Sequence, residues 1–124
     1  RQHAAAKRLW DRVGEVRGHA EAARACKASR EELPGSTITI TSLGAMGGIA
    51  STPVINAPEI AIIGVNKIMQ RPTYVNGQLV PRLIMNLSSS FDHRIVDGWD
   101  AAALIQRIKG LLEHPATLFM EGEA

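Results

Sequence analysis

Glu59-Ile60-Ala61-Ile62-Ile63-Gly64-Val65 constrains this chain more than any other segment. After its first residue the run shows no polar alternation, so a strand built from it is apolar on both faces. Such a strand belongs in the middle of a sheet, covered above and below. Other segments supply its neighbours. Thr37-Ile38-Thr39-Ile40-Thr41 alternates with period two, with the isoleucines facing one way and the threonines the other. Thr73-Tyr74-Val75 and Gln78-Leu79-Val80 flank Asn76-Gly77, the strongest short signal for a β-hairpin. Arg82-Leu83-Ile84-Met85-Asn86-Leu87-Ser88-Ser89-Ser90 reads as one further strand. Between these segments, Leu43-Gly44-Ala45-Met46-Gly47-Gly48 breaks the pattern as a flexible loop. Pro53-Val54-Ile55-Asn56-Ala57-Pro58 is an extended connection.

Both ends of the chain read as helix. Leu9, Val13, Val16, Ala20 and Ala23 recur at helical steps, predicting an amphipathic helix over residues 4–27. Gly14 and Gly18 weaken it by about 1 kcal/mol each relative to alanine, and Gly18 is where another backbone would approach. Ser29-Arg30-Glu31-Glu32 fits a capping box for a short turn that stops at Pro34-Gly35. Leu104, Ile108, Leu111 and Leu112 mark the core stripe of a last helix from Gly98 to His114, ended by Pro115. Leu118, Phe119 and Met120 then form a short apolar tail expected to dock. With 45% hydrophobic but only 4% aromatic residues, the core must be aliphatic. The fold class is α+β, a mixed or antiparallel sheet with flanking helices.

A net charge of +2 gives no case for nucleic acid or an anionic membrane. The cations cluster in the first quarter, interleaved with Asp11, Glu15 and Glu21, as on a solvated helix face. The single cysteine, Cys26, makes no internal disulfide and reads as a small buried hydrophobe in a reducing compartment. No apolar run reaches the roughly 18 residues of a membrane span. His3, His19 and His114 lack metal-ligand spacing, so no metal is expected. The chain starts at Arg1, so its natural start is expected upstream.

Chemistry gathers at Ser88-Ser89-Ser90-Phe91-Asp92-His93-Arg94-Ile95-Val96-Asp97-Gly98. One histidine ends a strand, an aspartate follows four residues later, and a helix begins. Imidazole titrates near neutral pH, which suits it to general-base work. The plain alternative is a histidine that fills a strand-to-helix corner. Asp97 likewise has a plain role as helix cap, with Asp100 three residues on.

Asp92-His93-Arg94-Ile95-Val96-Asp97-Gly98 resembles the D-H-R-x-x-D-G signature of the dihydrolipoamide acyltransferases, the core components of 2-oxo acid dehydrogenase complexes. Thr39-Ile40-Thr41-Ser42-Leu43-Gly44, the Gly47-Gly48 pair and Pro53-Val54-Ile55-Asn56-Ala57-Pro58-Glu59 resemble a second block of that family. The two stand in the expected order, with the Asn-Gly hairpin between them. The shorter H-x-x-x-D alone is shared with chloramphenicol acetyltransferase and other acyltransferases. The resemblance runs from about Leu9 to Met120 and implies part of a chloramphenicol acetyltransferase-like two-layer fold. It covers the C-terminal portion of the catalytic domain, with the N-terminal half, the lipoyl domain and the peripheral-subunit-binding domain absent from residues 1–124.

The resemblance implies transfer of an acyl group from S-acyl-dihydrolipoamide to coenzyme A. A thiol near pKa 8.5 is mostly protonated at neutral pH, so a neutral imidazole at His93 has a proton to remove. Attack of the thiolate on the thioester makes a tetrahedral oxyanion, which needs a preorganised donor. By resemblance that donor is the hydroxyl of Thr41, where many relatives carry serine, with Ser42 as the fallback. From the residues alone, Thr41 reads as an ordinary β-branched strand residue. Gly47 and Gly48 line the substrate channel, and the loop holding them lacks the Gly-Lys-Ser/Thr end of a phosphate-binding loop. Asp97 is by resemblance a buried salt-bridge residue shaping the His93 loop, with its arginine partner expected in the absent half, and Asp92 and Arg94 shape it too. Gly98 lets the helix start hard against that loop, and Lys67 and Arg82 are candidates for coenzyme A phosphates.

Coenzyme A enters as substrate, and the lipoyl group arrives on a domain absent here. The implied partners are copies of the chain in a homotrimer and a larger cubic or icosahedral core, together with the 2-oxo acid dehydrogenase and dihydrolipoamide dehydrogenase components. The expected site lies between subunits, in the bacterial cytoplasm or the mitochondrial matrix. Block details favour a branched-chain over a pyruvate type. The competing expectations are another coenzyme A acyltransferase that shares H-x-x-x-D, and a non-catalytic assembly fragment. These residues alone are expected to show little turnover.

Overall fold

A computed structural model describes residues 8–27 and 35–120, with the Ala45 side chain left undescribed. It divides into two units, residues 1–37 and 38–124. In the first, helix α1 spans Leu9–Arg24. Its C-terminus closes as a Schellman turn: Lys27 N–H donates to Ala22 O at 2.8 Å, and Cys26 N–H to Ala23 O at 3.1 Å. Cys26 sits at the position where glycine is usual, with φ 52°. It is exposed, so the expectation of a buried hydrophobe is corrected: the cysteine terminates a helix. Nothing lies within 4 Å of where a Gly18 Cβ would be, so no backbone approaches there among the described residues. The capping box at Ser29 lies outside the described residues.

The second unit holds β1 (Ile38–Ser42), β2 (Ala61–Val65), β3 (Met69–Val75), β4 (Gln78–Ile84), β5 (Leu87–Phe91) and α2 (Gly98–Glu113). The isoleucine-rich run is the central strand, in the order β1-β2-β5. β1 runs parallel to β2, and β5 antiparallel. Ala61, Ile62 and Ile63 are its buried apolar residues, as a run apolar on both faces requires. β3 and β4 form the expected hairpin, with both Asn76 (φ 51°) and Gly77 (φ 79°) in the left-handed region its turn demands.

Residues 82–90 are not one strand. The apolar run Leu83-Ile84-Met85 carries no glycine or proline to break it, but the chain changes sheets there. Asn86 leaves the hairpin ladder and its carbonyl accepts the Asn66 N–H at 3.2 Å. Helix α2 half-buries Ala101, Ile105, Ile108 and Leu111, whereas Leu104 and Leu112 are exposed, so the stripe is rotated from the expected one. The Leu118, Phe119 and Met120 side chains are also exposed rather than docked.

Register assigns the sheet's two faces. Ile38, Ile40, Ala61, Ile63, Leu87 and Phe91 share one face, and Thr39, Thr41, Ile62, Gly64, Ser88 and Ser90 share the other. The segment from Gly48 to Glu59 crosses this second, partly polar face. Ser51 N–H donates to Ser88 Oγ at 3.1 Å, and Ser90 Oγ–H donates to Pro53 O at 2.6 Å. Asn86 Nδ2 donates to Ile49 O at 2.9 Å, and Lys67 N–H to Gly48 O at 3.1 Å. Thr39 Oγ1 donates to the buried Glu59 carboxylate. The serine triplet therefore stitches a loop to the sheet through alternate members.

Candidate active site

The crossing loop roofs a cavity of about 250 Å³ whose lining includes Thr41, Gly47, Gly48, Ser51, Gly64 and Asn66. Three of the residues singled out from sequence, Thr41, Gly47 and Gly48, thus come together. Thr41 pairs with Gly64, which pairs with Ser88. Gly64 has a steric reason: a Cβ there would lie 2.8 Å from Ser51 Oγ, so glycine lets the Ser51 side chain sit this low over the strand. Ser42 takes another part. It alternates to the opposite face, and its Oγ accepts Gly44 N–H at 3.1 Å, bracing the turn into the Gly44–Met46 3-10 helix.

His93 lies elsewhere in the chain. Asp92 N–H donates to Ile60 O at 2.9 Å, one step beyond the Phe91–Ala61 pair, so the histidine turn starts at the opposite end of the sheet from Thr41. Two strand spacings and four residues of strand separate the Asp92 and Thr41 positions, on the order of 15 Å. His93 is exposed and does not line the Thr41 cavity. One chain holds the two candidate groups without joining them.

The His93 turn is held from both sides. The Asp92 carbonyl accepts Ile95 N–H and Val96 N–H, each at 3.0 Å. The Asp92 carboxylate accepts Arg94 Nε at 2.9 Å, Nη2 at 2.6 Å and the Arg94 N–H at 3.1 Å. The guanidinium bonds first, then the backbone bond, hold the Asp92 carboxyl down to about 2. The same pairing raises the Arg94 pKa. Downstream, Asp97 Oδ1 accepts Asp100 N–H at 2.8 Å and caps α2. Asp97 is exposed and makes no ion pair among the described residues, so the cap is what this chain shows of it; the arginine that would pair with it is expected outside residues 1–124. The steric reading of Gly98 is corrected, since nothing described lies within 4 Å of its would-be Cβ.

Sequence reasoning passed over Gly64, Asn66, Asn86, Ser88 and Ser90. Only the interruption of an isoleucine run by glycine carried a signal for any of them.

An α+β fold, with a threonine lining a glycine-walled cavity and a histidine on a clamped strand-to-helix turn, has close counterparts. Residues 2–120 match the 2-oxoacid dehydrogenases acyltransferase (catalytic domain) family, and this chain belongs to it. It is 64% identical over 120 residues to the lipoamide acyltransferase component of the branched-chain alpha-keto acid dehydrogenase complex of Pseudomonas aeruginosa, covering 97% of this chain and 28% of that protein. Azotobacter vinelandii dihydrolipoamide acetyltransferase superposes with TM-score 0.83 at 38% identity, over 92% of this chain and 47% of that one. The cubic core of a pyruvate dehydrogenase multienzyme complex matches with the same TM-score of 0.83. In the Azotobacter protein a serine, a histidine and an asparagine were studied for their roles in the catalytic mechanism. They stand in the same order and at the same residue spacing as Thr41, His93 and Asp97. This chain spans less than a third of the curated relative and about half of the solved chain.

Proposed function

We propose that this segment supplies both halves of an acyl-transfer site that is completed between copies of the chain. The whole protein moves an acyl group from S-acyl-dihydrolipoamide to coenzyme A within a 2-oxo acid dehydrogenase complex. The observation carrying this reading is the split geometry. Thr41 lines a cavity, and His93 stands exposed at the other end of the sheet. Each is half of a site, and a second copy supplies the missing half.

In the joined site, His93 of one copy takes the proton from the attacking thiol. The thiolate adds to the thioester carbonyl, and the oxyanion falls toward Thr41 Oγ1 of the neighbour. Collapse expels the second thiolate, which regains a proton from the imidazolium, so no acyl-enzyme forms. A hydroxyl donor of this kind contributes about 3–4 kcal/mol to the transition state. Identity of 64% to a branched-chain component, against 38% to an acetyltransferase, favours branched acyl groups. A closed homotrimer, the minimal unit of a cubic or icosahedral core, gives each cavity one neighbouring histidine. The dehydrogenase and dihydrolipoamide dehydrogenase partners belong to the same reading, as does a reducing compartment.

Complementation tests the split site. In the intact acyltransferase, His93→Ala and Thr41→Ala are each expected to lower kcat by at least about a hundredfold. Co-assembled in equal amounts, the two variants recover about a quarter of wild-type turnover, because some interfaces combine an intact His93 with an intact Thr41. If the mixed assemblies are no more active than either variant alone, both groups act from one chain and the proposal fails.

A further inference from the structure

We infer that Asn66 Oδ1 is a substrate-binding acceptor that takes the secondary amide N–H nearest the reacting sulfur of the coenzyme A arm. The inference rests on the acyl-transfer reading of the Thr41 cavity and adds a residue to it. Asn66 is buried, with 7% of its surface exposed. Its Nδ2 donates to Asn86 O and to Ser88 Oγ, both at 2.9 Å. A side-chain amide has two donor protons, and both are used. The orientation is therefore set by its partners, since exchanging oxygen for nitrogen would press Oδ1 against the Asn86 carbonyl.

Oδ1 accepts no hydrogen bond among the described residues. No side-chain oxygen among them is both sealed from solvent and unpartnered, so Oδ1 keeps open surface. Asn66 lines the Thr41 cavity, and Oδ1 is the atom of its side chain left to face a ligand. A rigid, nearly buried acceptor of this kind selects for a ligand donor, because an apolar group placed against it would leave it unsatisfied.

Spacing names the donor. Thr41 lies beside Gly64, and Asn66 follows two residues on along the same face. The two side chains thus stand about 8 Å apart. In coenzyme A, two methylenes separate the thiol sulfur from the first amide nitrogen. A thioester oxyanion at Thr41 therefore brings that N–H within reach of Asn66. Dihydrolipoamide also carries an amide N–H, but at the far end of its carbon chain. Gly47 and Gly48 leave the intervening wall without side chains.

The test uses the intact, assembled acyltransferase and two oxygen-for-NH analogues. One is pantetheine with its cysteamine amide replaced by an ester. The other is the methyl ester of the acyl-dihydrolipoyl donor in place of its amide. In wild type the pantetheine ester is expected to lose about fivefold to tenfold in kcat/KM against pantetheine, and the loss shrinks to less than about twofold in Asn66→Ala. Asn66→Ser, too short to reach, serves where the alanine chain does not fold. Equal use of amide and ester acceptors by wild type overturns the inference while turnover itself upholds acyl transfer. A penalty confined to the lipoyl ester, or one undiminished in both variants, also overturns it. Absence of turnover with the ordinary substrates would instead remove the underlying reading.

Discussion

Asn66 Nδ2 and Ser88 Oγ stand 2.9 Å apart, and the same Oγ accepts Ser51 N–H at 3.1 Å. One hydroxyl thus joins the end of the central strand, the neighbouring strand and the loop that roofs the candidate cavity. Ser88→Ala removes the acceptor from both donors at once. Asn66 is buried, so its donor goes unsatisfied, and the intact protein is expected to lose about 1–2 kcal/mol. Ser89 faces the other way and makes no side-chain hydrogen bond among the described residues, so Ser89→Ala should cost less than about 0.5 kcal/mol. Denaturant unfolding of the two variants checks this, and equal losses would contradict the bridging role.

The loop crosses β2 where a Gly64 Cβ would come 2.8 Å from Ser51 Oγ. Gly64→Ala is expected to destabilise the protein by about 1–3 kcal/mol through this overpacking. Ser51→Ala removes the offending atom. The double variant should therefore recover most of the loss, a coupling that a double-mutant cycle reads directly. Additive effects would show that the loop does not rest on Gly64.

Much of this arrangement was legible in local pattern. Ile38 and Ile40 oppose Thr39 and Thr41 as period two demands, and Asn76-Gly77 turns where its conformational freedom requires. The cap at Asp97 follows from an aspartate before an apolar helical stripe. What escaped was tertiary. Nothing in Leu83-Ile84-Met85-Asn86-Leu87 marks a change of sheet, because no glycine or proline interrupts it and Asn66, 20 residues away, makes the bond that redirects the chain. Ser88, Ser89 and Ser90 are chemically alike, and only register separates the two that hold the loop from the one that does not. Cys26 looked apolar and small, but the Schellman geometry outweighed that preference. The separation of Thr41 from His93 could not be read from their spacing, since it depends on β5 running antiparallel to β2.

Asp97 accepts the Asp100 N–H at 2.8 Å, which makes its contribution to stability separable from any contribution to chemistry. Asp97→Ala is expected to cost about 1 kcal/mol, the usual value of a lost helix cap, whereas Asp97→Asn keeps the capping oxygen and stays within about 0.5 kcal/mol of wild type. Thermal unfolding of the pair provides the check. Should both lose the same amount, a carboxylate charge at this position matters more than the cap.

A clamp holds the turn that carries His93. Arg94 reaches back to the Asp92 carboxylate through its guanidinium and its own N–H, holding that carboxyl at about 2 instead of the ordinary 3.8. A depressed folded-state pKa means that the folded form favours the charged carboxylate. The clamp's contribution is therefore complete above about pH 3.8 and is lost as pH falls through about 2. Across the range where imidazole titrates, Asp92 stays ionised and the turn keeps its shape. Any pH dependence of transfer between pH 5 and 8 should then follow a histidine and not this carboxylate. Carbon-detected NMR of the Asp92 carboxyl is expected to give a midpoint near 2 in wild type, and one close to 3.8 in Arg94→Ala. An unshifted midpoint in that variant would mean that something other than the arginine holds the proton off.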